Sequence, residues 1–153
     1  MTTIRVRGDT MRKMKVIGYW TSTTAVVLEL VVSGVGGLLH GRVMLVGQPF
    51  DEVLQHLGYP VYLLKILGWW KPLGAIALLV PRFPRLKEWA YAGIFFNMTG
   101  AAASHIARGD DVDALIWPGV FSLLTLTSWA LRPQSRALGA LILAQDNQAT
   151  NAR

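Results

Sequence analysis

The chain has 153 residues, of which 52% are hydrophobic and only 16% are charged, and its formal net charge is +6. An ordinary soluble domain has about 25% charged residues, so this composition argues against a soluble protein. The chain contains no cysteine, which excludes disulfide bonds, thiolate metal sites and a cysteine nucleophile within it.

Four long segments contain almost no charged residues. In chain order they are 16–39, 61–80, 89–107 and 114–131. Their only charged residues are Glu29, Lys65 and Lys71. Because a helix needs about 20 mostly apolar residues to cross the hydrocarbon of a bilayer, these segments predict four transmembrane helices. We therefore predict an all-α integral membrane protein whose transmembrane domain, residues 16–132, is a four-helix bundle.

The connections between the predicted spans contain turn-forming residues. In the connection 40–60, glycines and prolines flank the stretch 50–57, which predicts one or two turns of helix at the membrane surface. The connection 81–85 contains two prolines, which prevent a helix from continuing and favour an extended turn. A connection this short predicts that the second and third spans are antiparallel neighbours.

Basic residues are distributed unequally between the two ends of the predicted spans. Eleven of them lie in three regions on one side of the membrane, namely 1–15, 81–88 and 132–153. The loops on the opposite side contain two, Arg42 and Arg108. Because loops rich in lysine and arginine remain in the cytoplasm, we predict a multi-pass protein of the cell (inner) membrane with a basic cytoplasmic N-terminus and a cytoplasmic tail, 133–153. Topology then explains the positive charge, and nucleic acid is not a predicted partner.

Two ionisable residues lie near the middle of their predicted spans. An isolated charge at the bilayer centre costs about 2.5–3.5 kcal/mol on insertion scales, and Glu29 and Lys71 carry opposite charges at similar depth. We therefore predict that they form an ion pair inside the bundle. Ionisable groups within a membrane usually have a function, and a purely structural ion pair is the alternative.

Further polar residues lie at the same depth as this ion pair or on the same helix faces. They are Ser33 and His40 after Glu29, then Asn97, Ser104 and His105 in the third span and Ser122 in the fourth. Steps of three, four and seven residues place side chains on one face of a helix. Such a face is either a helix-packing interface or the polar wall of a cavity. We predict a cavity with Glu29, Lys71 and Asn97 at its base and with His40 and His105 at its mouth.

The six tryptophans fall into two groups. Trp20, Trp89, Trp117 and Trp129 lie near the ends of predicted spans and predict an interfacial aromatic belt. The other two, Trp69 and Trp70, lie beside Lys71 at mid-depth, where they either form the wall of an apolar pocket or face lipid. We predict that Trp70 lines the cavity and that both contribute to ligand binding.

Three histidines, His40, His56 and His105, lie near carboxylates at one end of the predicted spans. Imidazoles and carboxylates together can bind zinc or iron. No two of these histidines have the spacing of metal ligands on one helix, and none lies in a recognised metal motif. We therefore predict no metal site.

Four stretches of the sequence carry a family resemblance. They are HLGYP (56–60), ILGWWKPLGAIALL (66–79), PRFPRLKEWAYAG (81–93) and GAAASH (100–105). Together they resemble the DoxX-like family of small four-helix bacterial membrane proteins. Family namesakes resemble small subunits that accompany a thiosulfate:quinone oxidoreductase, and more distant relatives resemble assembly chaperones of membrane receptors. Relatives often have aspartate where this chain has Asn97, so the resemblance does not support a proton relay at this position.

Polar groups inside apolar walls are typical of a small-molecule site. We predict a pocket for a lipophilic molecule, a quinone-like or other ring compound, in a membrane redox or conversion pathway. In a catalytic version Glu29 is the general acid or base, Lys71 and Asn97 polarise a substrate oxygen, and the reaction is an isomerisation or a hydrolytic opening. The predicted ligand-binding residues are Ser33, His40, Trp69, Trp70, Ser104, His105 and Ser122.

The main alternative is a non-catalytic accessory or assembly subunit of a membrane complex, whose polar core only specifies helix packing. A channel is a weaker hypothesis, because four short spans must oligomerise to surround a pore. The lipid bilayer is a predicted partner in every case, and a second copy of the chain or a membrane redox protein is a further candidate. The sequence does not identify a cofactor.

Overall fold

The computed structural model of the protein describes residues 2–39 and 49–133, with side chains from residue 10 onward. These two ranges contain five α-helices and no strand. The helices are α1 (Thr2–Leu38), α2 (Phe50–Leu57), α3 (Tyr62–Leu79), α4 (Pro84–Arg108) and α5 (Val112–Leu131). The all-α prediction is confirmed.

Three of the helices are long and apolar enough to cross a membrane. The segments concerned are Thr10–Leu38, Tyr62–Leu79 and Val112–Leu131, and they correspond to the first, second and fourth predicted spans. The third predicted span lies on α4, which has 25 residues but contains many small and polar side chains that lower its hydropathy. The four-helix transmembrane bundle and the cytoplasmic location of both termini therefore stay predictions.

The helix ends follow local sequence signals. The short helix α2 coincides with the stretch 50–57 in which a surface helix is predicted. Helix α4 begins at Pro84 rather than at residue 89, because proline is favoured at the first position of a helix, where its missing N–H is not needed. Helix α1 extends back to Thr2 through the basic segment, which contains no proline and has an unbroken run of good helix formers at residues 11–15.

Each long helix packs against two others. Helix α1 contacts α3 and α5, and α4 also contacts α3 and α5, while the short α2 contacts α1 and α4. The contact between α3 and α4 agrees with the prediction that the second and third spans are neighbours. This arrangement places residues from all four long helices around a common interior.

Glycines bring α1 and α3 unusually close. A Cβ atom added to Gly34 would lie 2.5 Å from Cδ of Pro72, and one added to Gly37 would lie 3.0 Å from the carbonyl oxygen of Leu64. Small residues permit this approach of two membrane helices. The close contact holds the polar face of α1, which carries Glu29 and Ser33, against Lys71 on α3.

Below this contact the helices pack tightly. The apolar core consists of Val26, Leu30, Ala75, Leu78, Tyr91, Ile94 and Met98. At one end of the core the hydroxyl of Ser128 lies 2.7 Å from that of Thr23 and 2.8 Å from that of Tyr91. Lys87 donates to the last carbonyls of α3, those of Ala77 and Leu78. We call this region, defined by Thr23, Lys87, Tyr91 and Ser128, the closed end.

Candidate functional site

Opposite the closed end, the helices line an open cavity of about 890 Å³. All five helices contribute to its wall, with Val53 and Leu57 from α2, Leu63 and Leu67 from α3 and Phe121 from α5 among the apolar residues. The volume lies within the range of about 300–1,000 Å³ that is typical of small-molecule sites. Most of the wall is apolar, and its polar groups are concentrated at two levels.

The first polar level is the base of the cavity, formed by Glu29, Ser33, Lys71 and Asn97. Lys71 Nζ donates to Glu29 Oε1 at 3.1 Å and to Ser33 Oγ at 2.9 Å. The Ser33 hydroxyl in turn donates to the carbonyl oxygen of Glu29 at 2.7 Å. The side chains of Lys71 and Glu29 are only 5% and 12% exposed. The predicted ion pair between α1 and α3 is confirmed.

Two hydrogen-bonding groups at the base have no partner among the described residues. Glu29 Oε2 is buried and accepts no hydrogen bond from them. Asn97 lines the same cavity and makes no hydrogen bond to the part of the chain that the structure describes. Because buried polar atoms are nearly always satisfied, Glu29 Oε2 needs a partner beyond the described residues, such as water or a ligand in the cavity.

Helix α2 closes over the base of the cavity. Lys71 Nζ lies 4.7 Å from the centroid of the Phe50 ring, a distance at which an ammonium and an aromatic face attract each other. Phe50, Val53, Leu54 and Leu57 all line the cavity, and their steps of three, four and seven place them on one helix face. Sequence analysis missed these four residues, although this spacing is a signal that could have found them.

The second polar level is the rim, where α2 meets the turn between α4 and α5. Asp110 Oδ2 lies 2.6 Å from Nδ1 of His105, and Asp110 Oδ1 lies 2.6 Å from Nε2 of His56. Gly109 adopts the left-handed conformation, with φ of 74°, and so ends α4 and directs the chain back over its last turn. Hydrogen bonds from His105 and His56 hold the pKa of the Asp110 carboxyl below its ordinary value.

A second contact joins the rim to the segment that follows α2. The hydroxyl of Tyr59 lies 2.8 Å from that of Ser104, and the Ser104 hydroxyl donates to the carbonyl oxygen of Gly100 at 2.8 Å. The Ser104 oxygen therefore accepts from Tyr59. Neither Tyr59 nor Asp110 was a predicted site residue, because their partners are distant in sequence.

Most of the predicted site residues lie on this cavity. Those on its wall are Glu29, Ser33, Lys71, Asn97, Ser104 and His105. His40 lies outside the described residues. The structure therefore brings together six predicted residues from three helices, and their roles in binding or catalysis stay predictions.

The structure does not place the two mid-depth tryptophans on the cavity wall, contrary to the prediction for Trp70, and their role in ligand binding stays a prediction. Trp69 and Trp70 are 65% and 66% exposed and do not line the cavity. Successive residues of a helix are rotated by about 100° about its axis. Gly68 faces α1 and Lys71 faces the cavity, so the two indoles between them face outward. Their surroundings are those of lipid-facing side chains.

Ser122 does not lie on the cavity wall either, and its predicted role in ligand binding stays a prediction. This residue is buried and donates to the carbonyl oxygen of Pro118 at 2.8 Å, while the cavity wall on α5 consists of other residues. Among them are Trp117 and Pro118. Trp117 was predicted to belong to the interfacial belt, and its place on the wall could not be inferred from depth alone.

The DoxX-like family matches residues 21–128. The chain belongs to the DoxX-like family. The match includes all of α2, α3 and α4 and every residue named above on the cavity wall. Neither a curated protein nor a solved structure matches the chain. Together with three apolar helices of sufficient length, family membership identifies a multi-pass membrane protein.

Proposed function

We propose that this DoxX-like protein binds a lipophilic small molecule, a quinone-like or other ring compound, in the cavity beneath α2. The observation that carries the proposal is the pair of open polar groups at the base, Glu29 Oε2 and Asn97. A ligand hydroxyl can donate to Glu29 Oε2, and a ligand hydroxyl or carbonyl oxygen can accept from the Asn97 amide. The apolar wall accommodates the ring of such a compound.

The proposal includes the membrane setting. We place four helices across the cell (inner) membrane as a bundle, with both termini in the cytoplasm, because eleven basic residues lie on that side of the predicted spans and two on the other. A reporter that is active only in the cytoplasm tests this when it is fused to either end. An inactive fusion at either end of an expressed protein contradicts the topology.

The base of the cavity also supports a catalytic version. Glu29 Oε2 is the free oxygen of a carboxylate whose other oxygen is held by Lys71, so it is suited to move a proton as general acid or base. The Asn97 amide supplies an N–H group and Lys71 supplies its positive charge to polarise a substrate oxygen. An isomerisation or a hydrolytic ring opening within a membrane redox or conversion pathway uses this set of groups.

Copurification tests the binding proposal directly. The protein is purified in a mild detergent, and its apolar extract is identified by mass spectrometry. We expect one compound at a constant ratio to protein, and we expect Asn97→Leu and Glu29→Gln to lose it while the protein stays folded in the membrane. Trp70→Leu is the matched control, because Trp70 lies at the same depth but faces outward, and it should retain the compound.

The accessory-subunit hypothesis makes the opposite forecast. If the polar base only specifies helix packing, no compound copurifies, and Asn97→Leu behaves like the wild type in every assay. That pair of results replaces the binding proposal with the alternative.

A further inference from the structure

The cavity has open polar groups at two separate levels. Asn97 at the base and His105 at the rim are eight residues apart on α4, and a helix rises about 1.5 Å per residue, so the two levels are about 12 Å apart. Apolar residues such as Leu67, Ala101 and Phe121 line the cavity as well. A molecule that fills the cavity therefore meets polar groups at both ends.

At the base the Asn97 amide and one buried acceptor, Glu29 Oε2, are open. Lys71 uses its ammonium for Glu29 Oε1 and Ser33 Oγ and faces the ring of Phe50. This leaves Glu29 Oε2 as a buried oxygen without a donor from the described residues. A hydroxyl group is the simplest ligand group that satisfies it.

At the rim one open group is the second nitrogen of His105, and the carboxylates of Asp111 and Asp113 also line the cavity there without a hydrogen bond to the described residues. Nδ1 of His105 lies 2.6 Å from the carboxylate of Asp110, which accepts hydrogen bonds, so Nδ1 carries a hydrogen and Nε2 is left as the atom that a hydroxyl group can satisfy. The side chain is only 12% exposed, and Nε2 has no partner among the described residues. Tyr59 and Ser104, in contrast, satisfy each other.

From this geometry we infer that the ligand is an elongated apolar molecule with a hydroxyl group at each end, one for Glu29 Oε2 and one for His105 Nε2. The inference rests on the proposed function and specifies the ligand class. The two levels are about 12 Å apart, and each hydrogen bond is about 2.8 Å long. The two ligand oxygens are therefore about 6–12 Å apart, the lower value applying when both hydrogen bonds point along the helix axis. A compound of two linked rings with a terminal hydroxyl on each has this form.

A pair of simple probes isolates the second hydroxyl. 4,4′-Biphenol has two terminal hydroxyls, and 4-phenylphenol has the same two rings with only one. Binding of radiolabelled 4,4′-biphenol is measured on the full chain in lipid nanodiscs, with empty nanodiscs subtracted, and 4-phenylphenol is the competitor. We expect the biphenol to bind about tenfold or more tightly, because each hydrogen bond to a charged or buried partner contributes about that factor.

Variants assign the second hydroxyl to the rim. His105→Phe should reduce the affinity for 4,4′-biphenol to that for 4-phenylphenol and leave the latter nearly unchanged. Ile106→Ala is the matched control, because Ile106 is the next residue and is 64% exposed, and it should change neither affinity.

The outcomes separate the inference from the proposal on which it rests. Saturable binding of both probes with equal affinity in the wild type overturns the two-ended ligand but leaves the pocket in place. Absence of saturable binding by either probe, together with no copurifying compound, overturns the pocket itself. The wild-type comparison needs no variant, so it decides the question even if His105→Phe does not fold.

Discussion

At the closed end Thr23, Tyr91 and Ser128 satisfy one another's hydroxyl groups, whereas at the cavity Glu29 and Asn97 keep hydrogen-bonding atoms without partners among the described residues. Both regions contain polar side chains from α1 and α4. A satisfied network makes the packing rigid and unique, and an incomplete one costs stability unless another molecule completes it. The comparison indicates that the closed end holds the fold and that the cavity end is available for binding.

The largest expected effect comes from breaking the ion pair at the cavity base. Lys71→Leu or Glu29→Leu leaves one buried charge without its partner, which should cost about 3–5 kcal/mol, whereas replacing both residues should cost much less. Thermal melting in detergent should therefore place the double variant above either single variant. A double variant that melts no higher than the singles shows that the pair is not coupled in this way.

The contact between α1 and α3 should be the next most sensitive feature. Gly34→Ala places a methyl group 2.5 Å from Cδ of Pro72, and overpacking of this kind costs about 1–3 kcal/mol. It should also displace Glu29 from Lys71 and so reduce retention of a copurified ligand.

Gly74→Ala provides the matched control for that substitution. Gly74 lies on α3, and a Cβ atom there would meet nothing within 4 Å. Alanine is more favourable than glycine in a helix by about 0.5–1 kcal/mol, so this variant should melt at or slightly above the wild type. Equal melting of the two variants contradicts the close helix approach.

A substitution at the closed end should change stability without changing ligand binding. Ser128→Ala leaves the hydroxyls of Thr23 and Tyr91 without their shared partner, at a cost of about 1–3 kcal/mol. Retention of the copurified ligand should stay at the wild-type level. Thr127→Ala is the control, because Thr127 is exposed and, among the described residues, its hydroxyl bonds only to the carbonyl oxygen of Leu123. Loss of ligand from the Ser128 variant shows that the two ends are coupled.

The smallest expected effect is the pH dependence of the rim. Hydrogen bonds from His105 and His56 lower the pKa of Asp110 in the folded protein. The Asp110 carboxyl therefore takes up its proton at a higher pH in the unfolded chain than in the folded protein. The stability that Asp110 contributes is therefore present above the pKa of the unfolded chain and is lost as the pH falls through the lower folded value. Melting temperatures measured across the acidic range should fall less steeply for Asp110→Asn than for the wild type. Parallel curves for the two proteins contradict this assignment.

Much of the architecture could be predicted from the sequence because hydropathy and local signals act within single segments. Runs of apolar residues indicate α3 and α5, and glycines and prolines delimit α2. The ion pair of Glu29 and Lys71 could be predicted as well, since two opposite charges at one depth in a membrane have few other ways to lower their energy.

The tertiary structure decided how each helix is rotated about its axis. A membrane helix is apolar on most of its surface, so hydropathy does not distinguish the side that faces lipid from the side that faces the protein. The close approach of α1 and α3 at Gly34 and Gly37 determines that rotation. For this reason Trp69 and Trp70 face outward although they flank the ion pair.

The rim was likewise decided by tertiary structure. His56 and Asp110 are 54 positions apart in sequence, and neither lies in a spacing pattern that relates it to the other. They meet because α2 packs across α4 and because Gly109 turns the chain back over the end of that helix. The sequence by itself determined which segments are helices and that the two midplane charges must pair, because these depend on residue type and depth. The tertiary structure decided which side chains enclose the cavity, because that depends on the contacts between helices.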